Sequence, residues 1–86
     1  MIIRRQFLRS ATSIGAQYRE ACRARSDAEF ISKMESALQE IEETIYWLEI
    51  LDESALSSSE RTQPITNEAV ELIRIFTTIV RKRKGL

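Results

Sequence analysis

Glu40 and Glu43 stand three residues apart, so on a helix their carboxylates share one face, a pairing that can pass a proton or hold a metal ion. Little else in the chain supports that chemistry. There is no histidine, and Cys22 is the only cysteine. This excludes imidazole acid–base catalysis, Cys–His nucleophiles, Cys/His zinc clusters and an intrachain disulfide. Cys22 itself reads as a buried small hydrophobe rather than a reactive thiol. Thr12-Ser13-Ile14-Gly15-Ala16 lacks the extra glycines and the preceding strand of a phosphate-cradling loop. Ala11 and Gly15 read instead as small residues that let another helix approach, and Thr12 and Ser13 as hydroxyls that bond to carbonyls one turn back. The expectation is no enzyme, no cofactor, no metal and no small-molecule substrate.

The charged residues offer two further chemistries. Arg4, Arg5, Arg81, Lys82, Arg83 and Lys84 are candidate phosphate contacts to a nucleic acid, joined by Arg9. Arg9, Glu20, Glu40 and Glu43 are a candidate polar network between helices or subunits, against ordinary surface pairing worth under ~1 kcal/mol each. The formal net charge is zero, but its sign alternates along the chain. Residues 1–26 carry six arginines against Glu20, residues 27–60 carry Lys33 against ten acids, and residues 61–86 carry six bases against Glu68 and Glu71. Neighbouring segments of opposite sign fit an antiparallel bundle, and this reading is preferred to nucleic-acid binding. No aromatic residue interleaves with the bases for stacking, and the acidic middle would repel a phosphate backbone.

These side chains need helices to position them. Eighty-six residues make one small domain, and 43% hydrophobic with 30% charged residues is a globular composition. With two glycines and one proline, helix is the default. No apolar run approaches the ~20 residues of a membrane helix, and a reducing cytoplasm is compatible with the lone cysteine. "RRQFLRSATSIGAQ", from Arg4, begins like a twin-arginine export signal but continues Ser/Thr-rich and soon meets Arg19 and Glu20. Phe7, Ala11, Ile14, Tyr18 and Ala21 run four, three, four and three apart, with Leu8, Gly15 and Cys22 beside them, so the stretch reads as a retained helix over about 3–24.

A second helix, about 27–54, opens on Ser26-Asp27-Ala28-Glu29, which has capping-box form. Its stripe is Ile31, Met34, Leu38, Ile41, Ile45 and Leu48, with Phe30, Ala37, Thr44 and Leu51 alongside. Tyr46, Trp47 and Ile50 lie off that stripe; with Ala11 and Gly15 they are the candidate oligomer interface, against a Trp47 that merely caps the core. "ESALSSSERTQ" reads as a surface connection, and Pro64 as the first turn of a third helix, about 64–84. That helix buries Ile65, Ala69, Leu72, Phe76 and Ile79, with Ile73 and Val80, and stops at Gly85. The fold class is all-α, an antiparallel up-and-down bundle in a single domain spanning 1–86.

"LRSATSIGAQYREACRARSDAEF" followed by "ESALQEIEETIYWLEIL" resembles the bacterial four-helix bundle proteins, which include those encoded in intervening sequences of 23S ribosomal RNA. The shared pattern is Leu8-Arg9-Ser10, Thr12 to Ala16, Glu20-Ala21, a Ser-capped second helix, Glu43-Thr44 and Tyr46-Trp47-Leu48; Ala69 to Val80 is similar to the family's last helix. The resemblance implies that these three helices correspond to the last three of a four-helix bundle, and that the chain assembles into a homopentameric ring. It also implies a mostly unsettled molecular function, with a related branch serving as an accessory to the reverse transcriptase of diversity-generating retroelements. Two departures stand out: this chain starts almost at Leu8-Arg9-Ser10, and its charge is balanced. Three stripes this broad leave apolar surface uncovered, to be closed by an upstream helix or a partner subunit ahead of a self-closed three-helix variant. The favoured expectation is a non-catalytic oligomeric scaffold or accessory protein in the bacterial cytoplasm. The alternative is an RNA-binding module tied to ribosomal RNA or a nucleic-acid enzyme.

Overall fold

The computed structural model describes residues 2–54 and 59–86. Three α-helices follow one another: α1 (Ile2–Cys22), α2 (Asp27–Glu53) and α3 (Ser59–Lys84). α2 starts where the capping signal stands. The Glu29 amide donates to Ser26 Oγ at 3.1 Å, while the Glu29 carboxylate reaches back to the Arg25 amide at 3.3 Å. One orphan donor of the first turn, the Glu29 amide, is thereby met, and the return bond falls on Arg25, the residue before the cap. Ser26→Ala should therefore lower stability by about 1 kcal/mol, read as a shift in the urea midpoint at unchanged slope. α3 stops in a Schellman motif, with Gly85 at φ 80°, its amide on Lys82 O and the Leu86 amide on Arg81 O.

α2 is the central element, antiparallel to both neighbours. Its buried residues are Phe30, Met34, Ala37, Ile41, Thr44, Leu48 and Leu51, with Ile31, Leu38 and Ile45 half-buried against the core. α1 contributes Ala21 and Ile14, and α3 contributes Ala69, Phe76 and Val80 with Ile73 and Ile79. Thr44 enters this apolar row without penalty because its hydroxyl donates to the Glu40 carbonyl at 2.8 Å.

α1 and α3 both pack on α2 but not, along their backbones, on each other. The rings of Tyr18 and Phe76 reach across between them, stacked at 5.5 Å and 18°. The result is an open slab of 43 × 22 × 13 Å with a radius of gyration of 14.1 Å, where a compact chain of this length would have about 12 Å. The self-closed three-helix variant is not what forms.

Three expectations need correction. Leu8, Gly15 and Cys22 do not belong to the core; all three are exposed, and α1 instead buries Ser10 beside Ala21. The inward face of α1 is rotated by about one residue from the apolar row, because a small serine fits the α2 contact where Leu8 would be too large. On α3, Ile65 and Leu72 are exposed, because no α1 backbone closes over them. Finally, α3 begins at Ser59, so Pro64 lies inside the helix. It removes one ladder bond, and the early start is held by Thr62, which is buried and donates to Asp52 Oδ1 at 2.6 Å. Residues 55–58 of the expected connection lie outside the described residues.

Candidate functional site

The charged network forms only in part, as a seam between α1 and α2. Arg9 Nη2 pairs with Glu43 Oε1, and the indole of Trp47 donates to the same oxygen at 3.3 Å. Arg9 Nε also donates to Gln6 Oε1 at 3.1 Å, which fixes the guanidinium from its own helix. Glu20 lies nearer the far end and pairs with Lys33 at 2.7 Å, a partner absent from the expected set. That contact holds the Lys33 ammonium above its ordinary range. Glu40 sits between, with Oε2 buried and unpartnered, as are Gln17 Oε1 and Ser10 Oγ.

Glu43 is held below its ordinary value of 4.5, first by the Trp47 hydrogen bond and also by the Arg9 charge. An ionised carboxylate already committed to an indole and a guanidinium has little to offer as a general acid. Among the described residues, no group of three His, Cys, Asp or Glu could hold a metal ion. A lowered folded-state pKa stabilises the fold above the ordinary value, and that contribution is lost as pH falls through the folded value. Thermal melts between about pH 7 and about pH 3 should show a steep acid limb for the parent and a shallower one for Glu43→Gln.

The oligomer-interface residues occupy separate faces. Ala11, Trp47 and Ile50 are half-buried, and Trp47 is engaged by its own Glu43. Tyr46 is 53% exposed and meets Trp47 edge-on at 5.1 Å and 70°. Gly15 faces open space, with nothing within 4 Å of where a Cβ would stand. Alanine there would be a better helix former by about 1 kcal/mol, so nothing in this fold calls for glycine.

The candidate nucleic-acid contacts split. α1 and α3 run parallel, so Arg4 and Arg5 lie about a helix length, roughly 30 Å, from Arg81 to Lys84. Arg83 pairs with Asp27 at 3.0 Å while its guanidinium lies 4.0 Å from the Phe30 ring centroid, and Lys84 pairs with Glu35 at 3.6 Å. These two cations pin the end of α3 to the start of α2. Arg81 and Lys82 stay exposed, and the α1–α2 corner brings Arg23 and Arg25 to the same end. Sequence spacing did not single out that pair, since only the up-and-down topology carries the corner to the tail of α3.

The slab's open side lies between α1 and α3. Ile65, Leu72 and Ile75 are exposed on α3 and Tyr18 on α1, and Glu68, Glu71 and Leu72 of α3 line an open cavity of about 290 Å³. A family model described as 23S rRNA-intervening sequence protein matches residues 1–78. The chain belongs to this family. A crystal structure of a protein with unknown function from the S23 ribosomal protein family, from Bacteroides thetaiotaomicron, superposes with a TM-score of 0.92 at 41% identity. The match covers 94% of this chain and 75% of that one. No curated protein matches significantly. Membership of the 23S rRNA-intervening sequence protein family thus fixes the fold and leaves the molecular activity open. Among the described residues, no helix is long and apolar enough to cross a membrane.

Proposed function

We propose that the protein is a non-catalytic helical scaffold that works as a homo-oligomer, a pentamer by resemblance, in the bacterial cytoplasm. The observation that carries this reading is the amount of large apolar side chain left outside. Leu8, Tyr18, Tyr46, Ile65, Leu72 and Ile75 are all exposed on a chain of 86 residues. Apolar surface so extensive on so small a domain favours association. Of the two carboxylates that could have done acid–base chemistry, Glu43 is instead committed to holding α1 on α2. The partner is another copy of the chain. The test is solution mass by light scattering after size exclusion: one assembled species supports the scaffold, and a stable monomer overturns it.

One observation favours a second role that can coexist with the first. Arg81 and Lys82 gather with Arg23 and Arg25 at one end of the bundle, and none of the four forms an ion pair among the described residues. Such an end suits the phosphates of an RNA. Arg81→Ala with Lys82→Ala would then weaken RNA retention and flatten its salt dependence, and unchanged retention would remove this role.

A further inference from the structure

Resting on the scaffold reading, we infer that copies join head to tail through two charged stripes, the outer face of α1 on one copy meeting the outer face of α2 on the next. On α1, Arg5, Leu8, Thr12, Gly15, Arg19 and Cys22 alternate three and four apart, and every one is exposed. On α2, Glu35, Gln39, Glu42, Tyr46, Glu49 and Glu53 do the same. The first stripe carries arginines and no acid; the second carries glutamates and no base. A surface meant only for water usually interleaves both signs, since i,i+4 pairs of opposite charge support the helix. Here the interhelical ion pairs draw on other residues, apart from Glu35, which Lys84 contacts. Arg5, Arg19, Glu42 and Glu49 form no ion pair among the described residues.

The two stripes also match in register. Laid antiparallel, they bring Arg5 to Glu49, Leu8 to Tyr46, Thr12 to Glu42, Gly15 to Gln39 and Arg19 to Glu35. Leu8 and Tyr46 are 59% and 53% exposed, so an apolar contact lies inside the charged pairing. Gly15, open in the single chain, lets the partner helix come close.

This register agrees with the bundle itself. Arg9 is level with Glu43 and Glu20 with Lys33 along the α1–α2 seam. Arg5 and Glu49 of one copy therefore already stand within a residue or two of the same height. A rotation about an axis along the helices, with no translation, keeps α1 and α2 antiparallel and brings the stripe of one copy level with that of the next. Such a rotation closes a ring when its angle divides a full turn, whereas a contact needing a shift along the axis makes open filaments. The stripes lie on different helices and point away from the shared core, so the contact is heterologous.

The test uses full-length chains with reversed faces. Arg5→Glu with Thr12→Glu makes the α1 positions facing Glu49 and Glu42 acidic; Glu42→Arg with Glu49→Arg makes the α2 face basic, and leaves Glu35 to hold Lys84 and meet Arg19. Each double variant should stay helical by circular dichroism and associate roughly a hundredfold more weakly than the parent. Mixing the two should restore association into species in which the variants alternate, because the acidic α1 face of one meets the basic α2 face of the other. Gly15→Leu, which fits the open site in the single chain, should also disrupt assembly, and it serves if a reversal impairs folding. Assembly untouched by the reversals and by Gly15→Leu would overturn this contact and leave the scaffold reading standing. Folded variants that fail to associate when mixed would overturn it too. A parent chain that is monomeric would overturn both.

Discussion

Ile41→Ala should reduce the unfolding free energy by about 3 kcal/mol, within the range of large-to-small changes at sealed core sites. Ile41 is wholly buried at the centre of α2, the helix against which both others pack. Its cavity would open in the core cluster that also holds Met34, Ala37 and Phe76. For a chain of this size the loss corresponds to roughly 15 °C in melting temperature. Parent and variant must be compared at one chain concentration, since association raises apparent stability. Ile2→Ala is the control, because an exposed side chain outside both charged stripes should cost within about 0.5 kcal/mol. If Ile41→Ala cost no more than Ile2→Ala, the core would be wrongly placed.

Phe76→Ala should be as damaging or worse, at about 4 kcal/mol. Phe76 is buried, belongs to the central cluster and stacks on Tyr18, which among the described residues is the one ring contact that links α3 to α1. Because α3 rests otherwise on α2 alone, its removal should loosen α3 before α2. Hydrogen exchange should show early loss of protection around 69–80, with the seam between α1 and α2 protected longer. Phe76→Leu should recover most of the stability but not the stacked-ring signal in near-ultraviolet circular dichroism. Equal loss of protection across all three helices would contradict the bridging role.

How much of this was legible in the residues differs helix by helix. On α2, the rows from Phe30 to Leu51 correspond to the buried face, because apolar residues fill each position there and only Thr44 interrupts them. On α1 the face was misplaced, since hydrophobicity ranks Leu8 above Ser10, while the contact with α2 selects for size. α3 starts earlier than its pattern suggests because one tertiary bond, Thr62 to Asp52, compensates for a polar stretch and an internal proline. Arg9, Glu20, Glu40 and Glu43 could be grouped from charge alone, but the pairing of Arg9 with Glu43 and of Glu20 with Lys33 depends on the interhelical register, which no single helix encodes. The reverse holds for Arg83 and Lys84: their run of charge suggested a ligand, and packing spends both on Asp27 and Glu35.

The central claim is that this slab functions as a subunit and not alone. The most direct measurement is the mass of the purified full-length chain by multi-angle light scattering over a tenfold dilution at physiological salt. One discrete homo-oligomer that persists through the dilution is the predicted result. A folded, non-aggregating monomer across the whole range would contradict it.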